Sequence, residues 1–198
     1  GGFFNLLNPY ALLGGVVTLT VFLTHGAVFL ALKTDGEIRH RANAFAVRLG
    51  LIAAVAAVSF LAWTNVSYSD SKIWVLVLST VVALSWVAGL LANVKKREGW
   101  AFIFSAVAIA TFVATLFTTL YPRVMPSSLG SELDLTIWNA SSTDYTLKVM
   151  TIVALVMTPI VLIYQGWTYW VFRKRVSASQ IQNPEHGILD VNTHILHQ

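Results

Sequence analysis

Histidine is the side chain in this 198-residue sequence best suited to ligate a metal or carry a proton, and one of the five, His25, falls inside an apolar stretch. A histidine at that depth can serve as an axial haem ligand or a proton carrier, or it can hydrogen-bond across a helix interface. No second histidine lies in an apolar run to complete an axial pair, and His25 shares a helix face with Gly14 and Thr18, so the packing role is the stronger reading. His186, His194 and His197 sit in a polar terminal stretch, which reads as a disordered tail rather than a metal site. All nine acidic residues lie outside the apolar runs, so the spans contain no carboxylate to mark an ion or proton path. Cysteine is absent, which excludes disulfides, thiolate metal sites and iron–sulfur clusters. No Walker loop, dinucleotide fingerprint, zinc spacing or nucleophile–base motif occurs, so no catalytic residue and no metal ligand is assigned.

The elements that would hold these residues are membrane helices. The chain is 56% hydrophobic and 11% charged, with a mean hydropathy of +0.68, where soluble domains average roughly 25% charged. The final apolar run, Val149 to Phe172, reaches about 36 Å as a helix, enough to cross a hydrocarbon core. Tyr164, Trp167, Tyr169 and Trp170 precede Arg173, Lys174 and Arg175, as in an interfacial anchor at a cytoplasmic face. The reading is an all-α polytopic bundle over residues 10–175 with five transmembrane helices at about 10–32, 45–63, 73–94, 100–120 and 149–172. Residues 1–9 form an outer interfacial segment, 121–148 a Ser/Thr-rich outer loop, and 176–198 a cytoplasmic tail.

Local signals refine this. Asn8-Pro9 reads as an N-cap followed by proline at the first helical position. Ala11, Gly14, Gly15, Thr18 and His25 mark a narrow face on the first helix, and Ser85 and Gly89 a small-xxx-small pair on the third. Pro159 should kink or loosen the last helix. Asn139-Ala140-Ser141 matches a glycosylation triplet, a pattern common by chance.

Charge sets the expected orientation. The 13 Lys and Arg residues lie in the gaps between apolar runs, as topology signals do, so the pI of 9.5 does not indicate a nucleic-acid partner. Lys33, Arg39, Arg41, Arg48, Lys95, Lys96, Arg97, Arg173, Lys174 and Arg175 share one side; Lys72, Arg123 and Lys148 share the other. The bias predicts an outside N-terminus and a cytoplasmic C-terminus in a multi-pass membrane protein. The absence of a starting Met and of a signal peptide reads as a piece of a longer or processed polypeptide.

Five strings carry a resemblance: FFNLLNPYALLGGVVTLTVFLTHGAVFL, WAFIFS, YPRVMPSS, LTIWNASS and LKVMTIVALVMTPIVLIYQGWTYWVF. In order and spacing they resemble subunit II of cytochrome bd-type quinol oxidases, over nearly the whole chain apart from the tail. The resemblance implies the C-terminal half of a subunit built from two pseudo-symmetric helical bundles. It implies a heterodimer in which a haem-bearing subunit I carries two b-type haems, a d-type haem and the external quinol-oxidising loop. That complex oxidises quinol at the outer face and reduces dioxygen to water, taking protons from the cytoplasm and generating a proton gradient. Subunit II, without haem ligands of its own, then supports subunit I within the lipid bilayer. The resemblance leaves room for a small accessory membrane subunit and for a bound quinone. On this reading the residues of interest are structural: Gly14, Gly15, Thr18 and His25 for packing, Trp138 and Asn139 for fixing the outer loop, and Pro159 in the last helix. The alternatives are a transporter subunit, for which the Pro159 kink is the one supporting feature, and a scaffold binding quinone or lipid in apolar grooves beside Trp86 or Tyr164.

Overall fold

The computed structural model describes residues 7–68, 72–127 and 130–175. Residues 1–6 of the expected outer segment and the tail with its three histidines fall outside the described residues. Five helices are long and apolar enough to cross a membrane: α1 (Pro9–Lys33), α2 (Glu37–Tyr68), α3 (Lys72–Val94), α4 (Glu98–Leu120) and α5 (Asp144–Val171).

Their ends follow from local chemistry. Asn8 Oδ1 accepts from the Ala11 amide at 2.8 Å, with Pro9 in the first turn, and so caps α1. Gly36, at φ +70°, allows the short turn into α2. Helix α3 stops in a Schellman arrangement: the Arg97 amide donates to Ala92 O and the Lys96 amide to Asn93 O, both at 2.9 Å, with Lys96 itself left-handed at φ 55°. Glu37, Glu98 and Asp144 each open a helix, where the N-terminal dipole favours a carboxylate.

The second helix begins at Glu37, well before the apolar run that starts near Phe45. Hydropathy marks only the lipid-facing part of a helix. The polar first turns of α2 remain helical because Arg39 and Asn43 find partners on α4 (below).

Helices α1 to α4 form the bundle proper, with α1 against α2, α3 against α4, and the two pairs joined through α2–α3 and α1–α4. Its core is made of small residues: Ala27, Ala31, Ala46, Ala53, Ala101 and Ala108 are buried. Lipid tails are as apolar as leucine, so helices in a membrane gain by approaching closely rather than by hiding apolar surface. Buried threonines fit the same scheme. Thr24 and Thr64 donate to the carbonyls of Thr20 and Phe60 at 2.7 Å, and Thr115 to Thr111 at 2.8 Å, so each hydroxyl is satisfied within its own helix.

The closest approach lies at Gly50. A Cβ there would run into Leu90 Cδ2 and stand 3.2 Å from Thr24 Cγ2. Beside it, the buried Trp86 donates its indole N–H to Gly50 O at 3.0 Å, joining α3 to α2. Gly89 faces α4, with Ala101 O, Phe104 Cβ and Ser105 N each 3.5 Å from where its Cβ would be. At the other end Tyr10 bonds Thr64 Oγ1 at 2.9 Å and stacks on Phe60 at 4.9 Å between ring centroids.

Helix α5 stands outside this bundle and buries none of its residues against its own chain. It meets the bundle near its C-terminal end, where Tyr169 sits edge-on to Phe29 at 6.3 Å and Lys33 Nζ donates to Phe172 O at 2.7 Å. Arg173 lies over the Trp170 ring at 5.2 Å. The five helices are therefore four in mutual contact and one at the flank. Apolar length identifies a span but not what covers it.

Trp86 tests the packing scheme. Trp86→Phe keeps most of the bulk and loses the hydrogen bond, and should cost about 1 kcal/mol; Trp86→Ala should cost ~3–5 kcal/mol. Reversible unfolding in mixed detergent micelles measures both, and a Trp86→Phe variant as stable as the unsubstituted protein would show that the bond to Gly50 adds nothing.

Candidate functional site

Three polar constellations stand out against the apolar bundle. The largest is at the basic end, around Glu98. This carboxylate opens α4 and is 3% exposed. Arg39 Nε donates to Oε1 at 2.8 Å, Asn43 Nδ2 to the same oxygen at 3.2 Å, and Arg175 Nη2 to Oε2 at 3.5 Å. Asp35 approaches Arg39 Nη1 at 3.8 Å. Asn93, fully buried at the end of α3, donates to Asn43 O at 3.1 Å. The group thus ties α2, α3 and α4 to the segment after α5. With both oxygens of Glu98 engaged by donors, the carboxylate serves as an anchor. Asn43 Oδ1 and Asn93 Oδ1 are buried without a donor among the described residues.

The second constellation surrounds His25 on α1. Its Nδ1 lies 2.8 Å from Ser105 Oγ on α4. Ser105 Oγ also donates to Phe102 O at 2.9 Å. A hydroxyl has one proton, so with that proton on Phe102 O the histidine must be the donor, and its Nδ1 carries the hydrogen. The imidazole also stacks on Phe102 at 4.7 Å between centroids. His25 therefore links α1 to α4 through both its ring face and its edge.

The third is the loop between α4 and α5. Strand β1 (Arg123–Met125) pairs antiparallel with β2 (Leu135–Thr136), with a bulge between the two registers, and one 3-10 turn (Ser131–Leu133) leads into β2. The segment around Leu135 is thus partly a hairpin strand on its own chain. Asn139 stitches the following turn: its Oδ1 accepts the Thr136 amide at 2.6 Å and its Nδ2 donates to Asp134 O at 3.0 Å. The buried Asp134 accepts the Ser127 amide at 2.6 Å and faces Arg123 at 3.9 Å. Trp138 is 71% exposed.

The remaining expected positions fall on different surfaces. Gly14 faces Phe60, with a Cβ there 3.2 Å from Phe60 Cε2, whereas a Cβ on Gly15 would meet nothing within 4 Å. Thr18 is exposed and bonds back to Gly14 O at 2.8 Å. The buried face of α1 is instead Val17, Thr20, Thr24, Ala27, Val28 and Ala31. Pro159 lies within α5, which continues through it from Asp144 to Val171. An apolar cavity of about 290 Å³ opens beside Trp86, lined also by Val21, Leu61 and Phe112, with the polar residues Asn65 and Ser79 on its wall. Ser79 Oγ has no partner among the described residues. No group of three His, Cys, Asp or Glu that could hold a metal occurs among the described residues.

Glu98 and Gly50 escaped sequence reading. The signal for Glu98 was a lone acid beside Lys95, Lys96 and Arg97, but its partner Arg39 is far off in the chain. Glu98→Gln should destabilise the bundle by about 2 kcal/mol, because Arg39 and Arg175 lose their carboxylate. Glu37→Gln, which breaks only the pair with Arg41 at 2.6 Å and 79% and 76% exposure, should cost no more than about 0.5 kcal/mol. Unfolding midpoints of the two variants in detergent distinguish the anchor from the surface pair.

The family model for cytochrome bd terminal oxidase subunit II matches residues 1–172. The cytochrome bd ubiquinol oxidase subunit 2 of Bacillus subtilis (strain 168) is 38% identical over 177 residues, covering 87% of this chain and 52% of the relative. The cytochrome bd-I ubiquinol oxidase subunit 2 of Escherichia coli (strain K12) is 33% identical over 220 residues, covering 95% of this chain and 58% of the relative. A probable cytochrome oxidase subunit 2 of Haemophilus influenzae is 32% identical, again with 95% and 58% covered. The chain spans about half the length of the curated relatives it matches.

Proposed function

The chain belongs to the cytochrome bd terminal oxidase subunit II family, and from that premise we propose that it works as the non-haem-ligating partner of a haem-bearing subunit I. In this role it supports a complex that oxidises quinol and reduces dioxygen to water, with the b- and d-type haems on subunit I. The observation that carries the reading is α5, an apolar helix with no residue buried against its own chain. Over most of its length such a helix has its circumference available to a neighbouring subunit and to lipid. The engagement of His25 by Ser105 and Phe102 agrees with a packing role for that histidine.

The orientation follows from the same reading. The ends of α1, α3 and α5 and the starts of α2 and α4 gather the basic residues on one side, which we place at the cytoplasm. The cavity beside Trp86 suits the apolar tail of a bound quinone, with the Ser79 hydroxyl as the group lacking a partner. The exposed faces of Gly15 and Thr18 suit close contact with a helix outside this chain.

A reduced-minus-oxidised visible spectrum of the complex captured through this chain in mild detergent tests the assignment. Bands of b- and d-type haem are expected, and a colourless intact complex would overturn it. His25→Ala should leave every haem band in place; loss of one band with assembly intact would make His25 a ligand. Gly15→Leu should leave this chain folded yet reduce recovery of the partner subunit by several-fold. Recovery at the unsubstituted level would remove that face from the interface.

A further inference from the structure

A second concavity lies on the outside of the bundle, between the C-terminal half of α1 and the N-terminal half of α2. This open groove of about 830 Å³ is walled by Phe22, Leu30 and Phe45, and Arg41 and Arg48 stand along one side. Its floor is low at Gly26, where a Cβ would meet nothing within 4 Å. From Phe22 to Leu30 the groove follows α1 for ~12 Å, close to the ~15 Å depth of one leaflet's hydrocarbon.

The two arginines are two turns apart on one side of α2, ~10 Å along its axis. Arg41 is paired with Glu37 at 2.6 Å. Arg48 makes no ion pair or hydrogen bond among the described residues, although it lies a turn inside the apolar run that starts at Phe45. An arginine at that depth is costly unless it reaches the interface and meets an anion there. The groove beneath it is apolar, so the complementary ligand joins an anionic head to hydrocarbon chains. A free phosphate would leave that hydrocarbon-lined floor without a partner. Basic pockets between membrane helices match lipid headgroups of this charge.

We propose that the α1–α2 groove binds one anionic phospholipid, with its phosphate at Arg48 and Arg41 and an acyl chain lying over Gly26. The test uses the complete complex, purified in mild detergent, stripped of lipid and then titrated with phosphatidylglycerol or phosphatidylcholine. Lipid bound per complex is read by native mass spectrometry, alongside the thermal unfolding midpoint. Phosphatidylglycerol should bind and raise the midpoint; the Arg41→Ala/Arg48→Ala pair should bind it on the order of tenfold more weakly. Gly26→Leu places its side chain in open space and favours the helix, so it should leave folding intact while displacing the acyl chain and removing the lipid shift. Three results would each overturn the proposal. They are equal binding of phosphatidylcholine, an equal shift from inorganic phosphate alone, and undiminished binding in both variants. Failure of phosphatidylglycerol to bind the unsubstituted complex would mean that protein covers the groove, and would overturn it as well.

Discussion

Helices surrounded by lipid gain little by burying leucine against leucine, because the bilayer offers leucine the same environment. What holds α1 to α4 together is therefore proximity, and proximity depends on residues without bulk. At Gly50 the absence of a side chain lets Leu90 and Thr24 close in. It also brings a backbone carbonyl within reach of the Trp86 indole. The alanines buried along α1, α2 and α4 extend that seam in both directions. Enlarging residues along it would separate the helices and remove dispersion contacts that lipid cannot fully replace.

Polar contacts are spaced along the bundle so that each level has its own fastening. Tyr10 joins Thr64 at the Lys-poor end, His25 joins Ser105 and Trp86 joins Gly50 further in, and the Glu98 group closes the basic end. Such bonds contribute modestly in a membrane, since the separated helices also find partners. Their geometry matters more than their sum. Each fixes the rotation of one helix against another, which small, smooth side chains alone would leave free to slip.

Much of the architecture was legible in the primary structure because membrane helices announce themselves by apolar length, by Asn8-Pro9 at a start, and by basic residues at an end. The polar beginning of α2 was not, since its helicity rests on Arg39 and Asn43 meeting a carboxylate that is distant in the chain. The small face through Gly14, Gly15 and Thr18 was visible as a pattern. Yet periodicity cannot say which neighbour a face meets: Gly14 meets Phe60, while a Cβ on Gly15 would meet nothing within 4 Å among the described residues and Thr18 is exposed, bonded back to its own helix. Gly50 carried no pattern at all; only the approach of α3 gives it meaning. In the loop, Asn139 could be singled out by residue type, whereas the burial of Asp134 depends on a hairpin that two short strands did not advertise.

Helix α5 touches the rest of the chain at one end, through Tyr169, Phe172 and Arg175. Helices α1 to α4 thus have their mutual partners without it. Lys33 and Glu98 hold its trailing end. Its flank does not compete with its own chain for contacts. Held at one end, the helix has the rest of its packing set by what lies beside it in the bilayer.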